Sequence, residues 1–293
     1  MEFYYFGGNF DGGQISRLEK NNFAGVMFTY DSTQGDMFVR VAKDIKLEEN
    51  IKYLIAIRPY TISPQYLCMI NQSINEIDSG RLQINLISGY IKDHELEFGG
   101  IIGNVNDSSS RIERSNYMID YVNSLNTMPG NSENNLDFYV STTNEYMFDV
   151  VKKNSNKIIL PYRDYRNGFW TIINEHGGQS LSDVSFDLSG MNVMVALTPI
   201  IRKTQEDLNS LKDYALRPVW KKGEKSAEVT DVGYFTYEQF DDLVVELESK
   251  GINQLLINGW PMEEREIIIK FIKEYTELKG YKNKPSLENN LGE

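Results

Sequence analysis

Eight short apolar segments, spaced by amphipathic stretches, limit what this chain can fold into. They are Phe3–Phe6, Gly25–Thr29, Tyr53–Ile57, Leu82–Ile87, Phe138–Val140, Lys157–Leu160, Val193–Leu197 and Gln254–Ile257. Each is short and apolar on both faces, as strands buried in a parallel sheet are. Helical periodicity lies between them, over Gln14–Lys20, Pro64–Ile77, Arg111–Leu125, Thr143–Lys153, Gln205–Tyr214 and Tyr237–Ser249. Ser63-Pro64 supplies a cap followed by proline at the first helical position, and Gly251 follows Lys250 as a helix stop. Eight strands alternating with helices point to an α/β fold, a (β/α)8 TIM barrel. A doubly wound open sheet satisfies the same periodicity. The chain has 293 residues, 41% of them hydrophobic, which is enough for one large core. We read residues 1–280 as a single barrel domain and 281–293 as a polar tail. Asn126–Asn135 and Arg217–Asp231 read as loops. The second carries Lys221, Lys222, Gly223 and Lys225, and is either a mobile lid or a solvated excursion.

Charge narrows the partners. The net charge is −12, and no Lys/Arg cluster is long enough to track a phosphate backbone, so nucleic acid is not expected. An acidic surface disfavours anionic membranes, and no apolar run approaches a membrane span. The opening MEFYYFGGNF lacks the basic start and apolar run of a signal peptide, and a cytoplasmic protein is expected. Cys68 is the single cysteine, which excludes an internal disulfide and a cysteine zinc cage. His94 and His176 are the only histidines, and both sit in loop or helix-end segments. That argues against a histidine-rich metal site and against a Ser-His-Asp triad, and no metal is expected.

Four stretches carry chemistry. Tyr53–Pro64 reads YLIAIRPYTISP: a buried strand, Arg58-Pro59, then Ser-Pro opening a helix. The run from Ser79 to Gly89, SGRLQINLISG, places Asn85 inside the fourth strand and Ser88-Gly89 at its end. An apolar residue would pack such a strand better, so Asn85 invites a function. The alternative is that Asn85 bonds a neighbouring backbone and Ser88 merely ends the strand. Phe138–Glu145, FYVSTTNE, runs a strand into a small-residue turn at a helix start, where N–H groups and hydroxyls favour a phosphate. A plain Thr N-cap explains the same pattern. Gln254–Glu264, QLLINGWPMEE, closes the last strand on Trp260-Pro261.

In this order and spacing, these stretches resemble the bacterial-luciferase-like flavin-dependent monooxygenases, and most of all their alkanesulfonate monooxygenase branch. The resemblance runs from about residue 3 to 275, on a chain shorter than typical members and with a shortened insertion after the seventh strand. It implies a reaction of reduced FMN with O2, the flavin being supplied by a partner reductase, in a pocket that excludes water. It implies that Asn85 and Ser88 face the flavin ring, and that Ser141, Thr142 and Thr143 hold its phosphate. Arg111 matches an Arg of the family's Arg-Tyr pair, with Ile112 in place of the Tyr; a surface ion pair explains it equally. Barrels of this family commonly pair through helices near strands 2–4, so a homodimer is expected.

Departures fall where the chemistry should be. The branch's strand-7 Arg and His align with Ala196 and Thr198. Its Tyr before the last strand's Pro is Trp260, its Cys after strand 2 falls on Gln34, and a loop His falls on Ser108. Losing the Arg removes a sulfonate contact, and losing the His removes a proton shuttle near neutral pH. A simple alkanesulfonate is therefore not expected as substrate; a larger or carrier-bound organic molecule is. Thr198, Trp260, Arg58 and Tyr30 are the candidate catalytic residues, with Asp31, Tyr162 and Arg163 as further polar groups near strand ends. Arg58 pairing with a carboxylate across the barrel top, and Asp36 merely capping a helix at Met37, are the plain alternatives. Two other functional readings stay open. One is a non-catalytic flavin-binding member or the supporting subunit of a heterodimer with a paralogue. The other is a deazaflavin-dependent oxidoreductase.

Overall fold

The computed structural model describes residues 1–7, 11–30, 35–47, 50–87, 108–128, 136–142, 145–162, 190–211, 232–259 and 262–281, with residue 188 and the short paired segments 165–166, 169–170, 172–173 and 179–180. Nine longer strands are β1 (Glu2–Gly7), β2 (Gly25–Phe28), β3 (Lys52–Ile57), β4 (Leu82–Ile87), β5 (Phe138–Ser141), β6 (Lys157–Pro161), β7 (Asn192–Arg202), β8 (Val232–Thr236) and β9 (Gln254–Asn258). Among the described residues eight helices accompany them: α1 (Gly12–Lys20), α2 (Met37–Asp44), α3 (Pro64–Ile77), α4 (Ser108–Thr127), α5 (Glu145–Asn154), α6 (Gln205–Asn209), α7 (Tyr237–Ser249) and α8 (Arg265–Lys279).

Strands β1 to β6 pair in sequence order, all parallel. β6 pairs with β7, β7 with β9, and β9 with β1, where Glu2 lies opposite Gln254. The ring closes. The fold is the eight-stranded parallel barrel that the alternation of segments implies, and not the open sheet. All eight expected strands belong to it. β8 is additional: it pairs with Thr198–Arg202, the half of β7 that overhangs the ring.

Alternation along each strand sorts the side chains. Phe3, Tyr5, Val26, Phe28, Tyr53, Ile55 and Ile57 join the helices in the outer core. Tyr4, Met27, Leu54, Ala56, Tyr139, Ile159, Met194 and Leu256 fill the barrel interior. α8 buries Ile268, Ile269, Phe271, Ile272 and Tyr275 against the barrel, at about 1.5–3 kcal/mol for each large side chain. Its left-handed stop is Gly280, with φ +72°.

The barrel floor is polar and cross-linked by hydrogen bonds. Tyr139 Oη donates to Gln254 Oε1 (2.9 Å), and Gln254 Nε2 donates to Glu2 Oε2 (2.9 Å). Lys157 Nζ and Gln83 Nε2 both donate to the Asp137 carboxylate, at 2.6 and 2.9 Å. Arg81, in the Ser-Gly-Arg stretch, donates from Nε to the Ile51 carbonyl (2.7 Å) and from Nη1 to Asp78 (3.0 Å). That part of the motif is a clamp between the ends of β3 and β4. Polar groups at this N-terminal end of a barrel serve stability, so the site must be sought at the other end.

Candidate functional site

The C-terminal ends of the strands bring several expected residues together. Asn85 is inward-facing on β4 and 2% exposed. Ser141, the last residue of β5, donates from Oγ to Asn85 Oδ1 at 2.8 Å. The strand register sets this up: Asn85 is opposite Tyr139 and Ile87 is opposite Ser141, so the hydroxyl reaches diagonally across the pair. The Asn85 amide nitrogen points at Met27 Sδ on β2, 3.7 Å away. A thioether is a weak acceptor, so a buried amide here keeps most of its donor capacity for a better partner. A flat ring rimmed with carbonyl and nitrogen acceptors fits that capacity.

A second pair lies beside the first. Arg58 follows β3 with the inward alternation of Leu54 and Ala56, is 5% exposed, and holds its guanidinium 5.3 Å over the Tyr30 ring. Ala56 is opposite Asn85 in the β3–β4 register, which puts the two pairs on adjoining strands. Thr198 stands apart from both. It is 2% exposed on β7, four strands round the ring from β3, next to Val232 of β8.

Thr142 follows β5, one residue beyond Ser141 and three before the start of α5. Arg111 is in the first turn of α4, and its side chain lies outside the described residues. Ser88, Thr143 and Trp260 lie outside them too, as do Asp31, Gln34, His94, Arg163, His176, the possible lid 217–231 and nearly all of the tail. Tyr162 packs its ring edge-on against Phe235 of β8, and burial pushes its phenol pKa up. It supports the overhanging sheet. Asp36 caps α2, accepting from the Phe38 and Val39 N–H groups at 2.8 and 3.1 Å.

The end of β9 shows why glycine precedes Trp260. A Cβ on Gly259 would run into the Tyr5 hydroxyl. Burial pushes the Tyr5 phenol up to about 12, against the opposing pull of Arg265, whose guanidinium lies 5.7 Å from the ring centre. The helix start that follows is a common phosphate site in barrels. Here it carries Glu263, Glu264 and Glu266 in its opening turns, which repel an anion. Glu264 is buried and bound by Arg202 through two contacts of 2.7 and 2.8 Å. The helix that follows β5, α5, opens on Glu145.

Met27 was not singled out among the candidates. The alternation in GVMF places it inward, but only the three-dimensional register shows that it meets Asn85. Among the described residues no group of His, Cys, Asp and Glu could hold a metal ion, and no helix is long and apolar enough to cross a membrane.

No family model matches the sequence. Solved structures resemble the fold over nearly the whole chain. A long-chain alkane monooxygenase (LadA) has a TM-score of 0.62 at 11% identity, covering 96% of this chain and 92% of that one. A riboflavin lyase (RcaE), solved with modified FMN and riboflavin, has 0.62 at 9%, covering 96% and 92%. The coenzyme F420-dependent tetrahydromethanopterin reductase from Methanopyrus kandleri has 0.59 at 12%, covering 93% and 97%. At such identities the likeness is one of fold.

Proposed function

We propose that this protein is a flavin-dependent monooxygenase of the bacterial-luciferase-like type. It takes reduced FMN from a separate reductase and acts with O2 on an organic substrate other than a simple alkanesulfonate. The observation that carries this reading is the Asn85–Ser141 pair at the C-terminal mouth of a closed barrel, within motifs that resemble that family. The fold neighbours include proteins named for alkane oxidation and for a flavin reaction, and their names differ too widely to suggest one substrate.

Reduced flavin, when bound, would supply the electrons for O2 activation. The chain would do the rest. Asn85 would donate to the ring's acceptors from a position fixed by Ser141. The turn Ser141–Thr143 would hold the phosphate, and Arg111, in the first turn of α4, would add a positive charge. Ser88 and Trp260 would flank the ring. Arg58 on Tyr30 would present a fixed positive charge at the rim, and Thr198 would offer a hydroxyl from the opposite wall. The outward face of α2 and α3 exposes Val39 (70%), Tyr66 (56%) and Met69 (56%), which supports pairing of two copies there. Met69→Glu should then yield a monomer in sedimentation.

The test is direct. The purified chain receives reduced FMN and O2 with a broad panel of organic substrates. Substrate-dependent oxygenated product is expected; flavin oxidation that yields only hydrogen peroxide across the panel would count against oxygenation. The likeness to an F420-dependent reductase supports a second reading, hydride transfer with a deazaflavin. Turnover with F420 under strict anaerobiosis would favour it.

A further inference from the structure

We propose that the ligand accepted beside the flavin is an uncharged, largely apolar organic molecule with one polar handle, selected by the wall that β6, β7 and β9 present to the mouth. This rests on the flavin reading above, which places the site at that mouth. The register aligns Pro161 with Ala196 and Ala196 with Leu256. Ile159 and Met194 form the layer beneath, and Ala196 packs with Tyr4, Met194 and Leu256 in the interior cluster. Above Ala196 on the same face come Thr198 and then Ile200. Ile200 forms a separate apolar cluster with Leu208, joined by Leu211, Val232 and Tyr234. From the barrel interior to above the rim, the described residues of this wall offer carbon surface, the Thr198 hydroxyl and, where β9 ends on the same face, the half-buried Asn258 amide.

Charge near this wall is paired or turned away. Arg58 lies across the barrel, stacked on Tyr30, and Arg265 lies against Tyr5, which belongs to the outer core. Arg202 follows Ile200 on the same face at the far end of β7, and its charge is already neutralised by the Glu264 carboxylate through two contacts. Among the described residues of this wall, an anionic substrate head group against Ala196 and Thr198 would be desolvated with no unpaired charge to meet it. The net charge of −12 also repels anions at long range. An alkyl or aryl body gains from every methylene buried on this wall, and Thr198 can bond a single carbonyl or hydroxyl.

The experiment titrates the FMN-loaded chain calorimetrically with primary alcohols and with sulfonates of matched length, from six to ten carbons. Alcohols should bind, about threefold to fourfold tighter per added methylene. Matched sulfonates should bind at least about tenfold more weakly. Ala196→Arg should reverse the preference, and Thr198→Lys, whose new cation faces the same way, serves where the first variant does not fold. Sulfonate binding equal to or tighter than alcohol in the wild type overturns the inference, as does absence of alcohol binding or an unchanged preference in the folded cation variant. FMN affinity is measured separately on each preparation. Failure to bind FMN takes down the flavin reading and this inference with it; normal FMN binding with the wrong charge preference takes down the inference alone.

Discussion

Ser141 and Asn85, 56 positions apart in sequence and on neighbouring strands, share one hydrogen bond of 2.8 Å at the barrel mouth. The bond fixes which way the Asn85 amide faces: its oxygen is taken by Ser141, so its nitrogen is turned toward Met27 and the interior. Asn85→Leu should therefore separate binding from stability. The loss in folding is limited to about 1 kcal/mol for the bond to Ser141, whose half-buried hydroxyl can turn to water, while a ring that has lost its donor binds at least about tenfold more weakly. Ser141→Ala should cost about 1 kcal/mol in urea unfolding and weaken FMN by a smaller factor. Fluorescence titration and unfolding curves on both variants decide it. Equal losses of binding and stability in Asn85→Leu would make Asn85 a packing residue.

The phosphate turn makes a prediction with an internal control. Thr142→Glu sets a like charge against a phosphate and should weaken FMN by about tenfold or more. Glu145→Gln removes a charge from the start of α5 and should tighten FMN by about twofold to fivefold, the size of a single charge at a helix end. Riboflavin has no phosphate, and neither variant should change its affinity. If riboflavin and FMN shift together, the phosphate sits elsewhere.

Much of this architecture could be read from the residues. Strands buried on both faces are written as apolar runs, so all eight ring strands were visible, and alternation was enough to turn Asn85 inward. β8 was not visible. VGYFT contains a glycine, and it is a strand only because β7 overhangs the ring and offers it an edge. Helix α8 did have a signal, in the spacing of Ile268, Phe271, Ile272 and Tyr275. The partnership of Asn85 with Ser141 and Met27 lay beyond reach, because it depends on the stagger between strands, which no single strand records. The Ser-Gly-Arg stretch shows the opposite hazard. It belonged to a motif read for function, yet Arg81 is a structural clamp at the floor.

Arg202 and Glu264 tie the end of β7 to the start of α8, with Glu264 only 3% exposed. Removing one partner strands a buried charge. Arg202→Met alone leaves Glu264 buried and unpaired and should cost about 3–5 kcal/mol in urea unfolding. Arg202→Met with Glu264→Leu should restore most of that, because an apolar pair of similar volume avoids desolvating two ions. A double variant no better than the single one would show that the pair's geometry, and not its charge, holds the two elements.

Acid sensitivity should trace to two surface pairs. Lys279 at 2.6 Å and the Tyr275 hydroxyl hold the Asp241 carboxyl below the usual range, and Arg17 does the same for Glu266. A carboxylate whose pKa is lower in the folded state adds stability above its unfolded value. That contribution is lost as the pH falls through the folded value. These two groups should therefore leave stability flat from about pH 7 to about pH 5 and lower it below about pH 4. Lys279→Met removes the main partner of Asp241 and should make the acid loss shallower, narrowing the gap between urea midpoints at about pH 7 and about pH 3. Lys279 also lies 5.9 Å from the Tyr275 ring centre, so a contribution from packing would lower both midpoints together. A parallel drop at the two pH values would assign the residue to packing; a narrowed gap assigns it to the carboxylate.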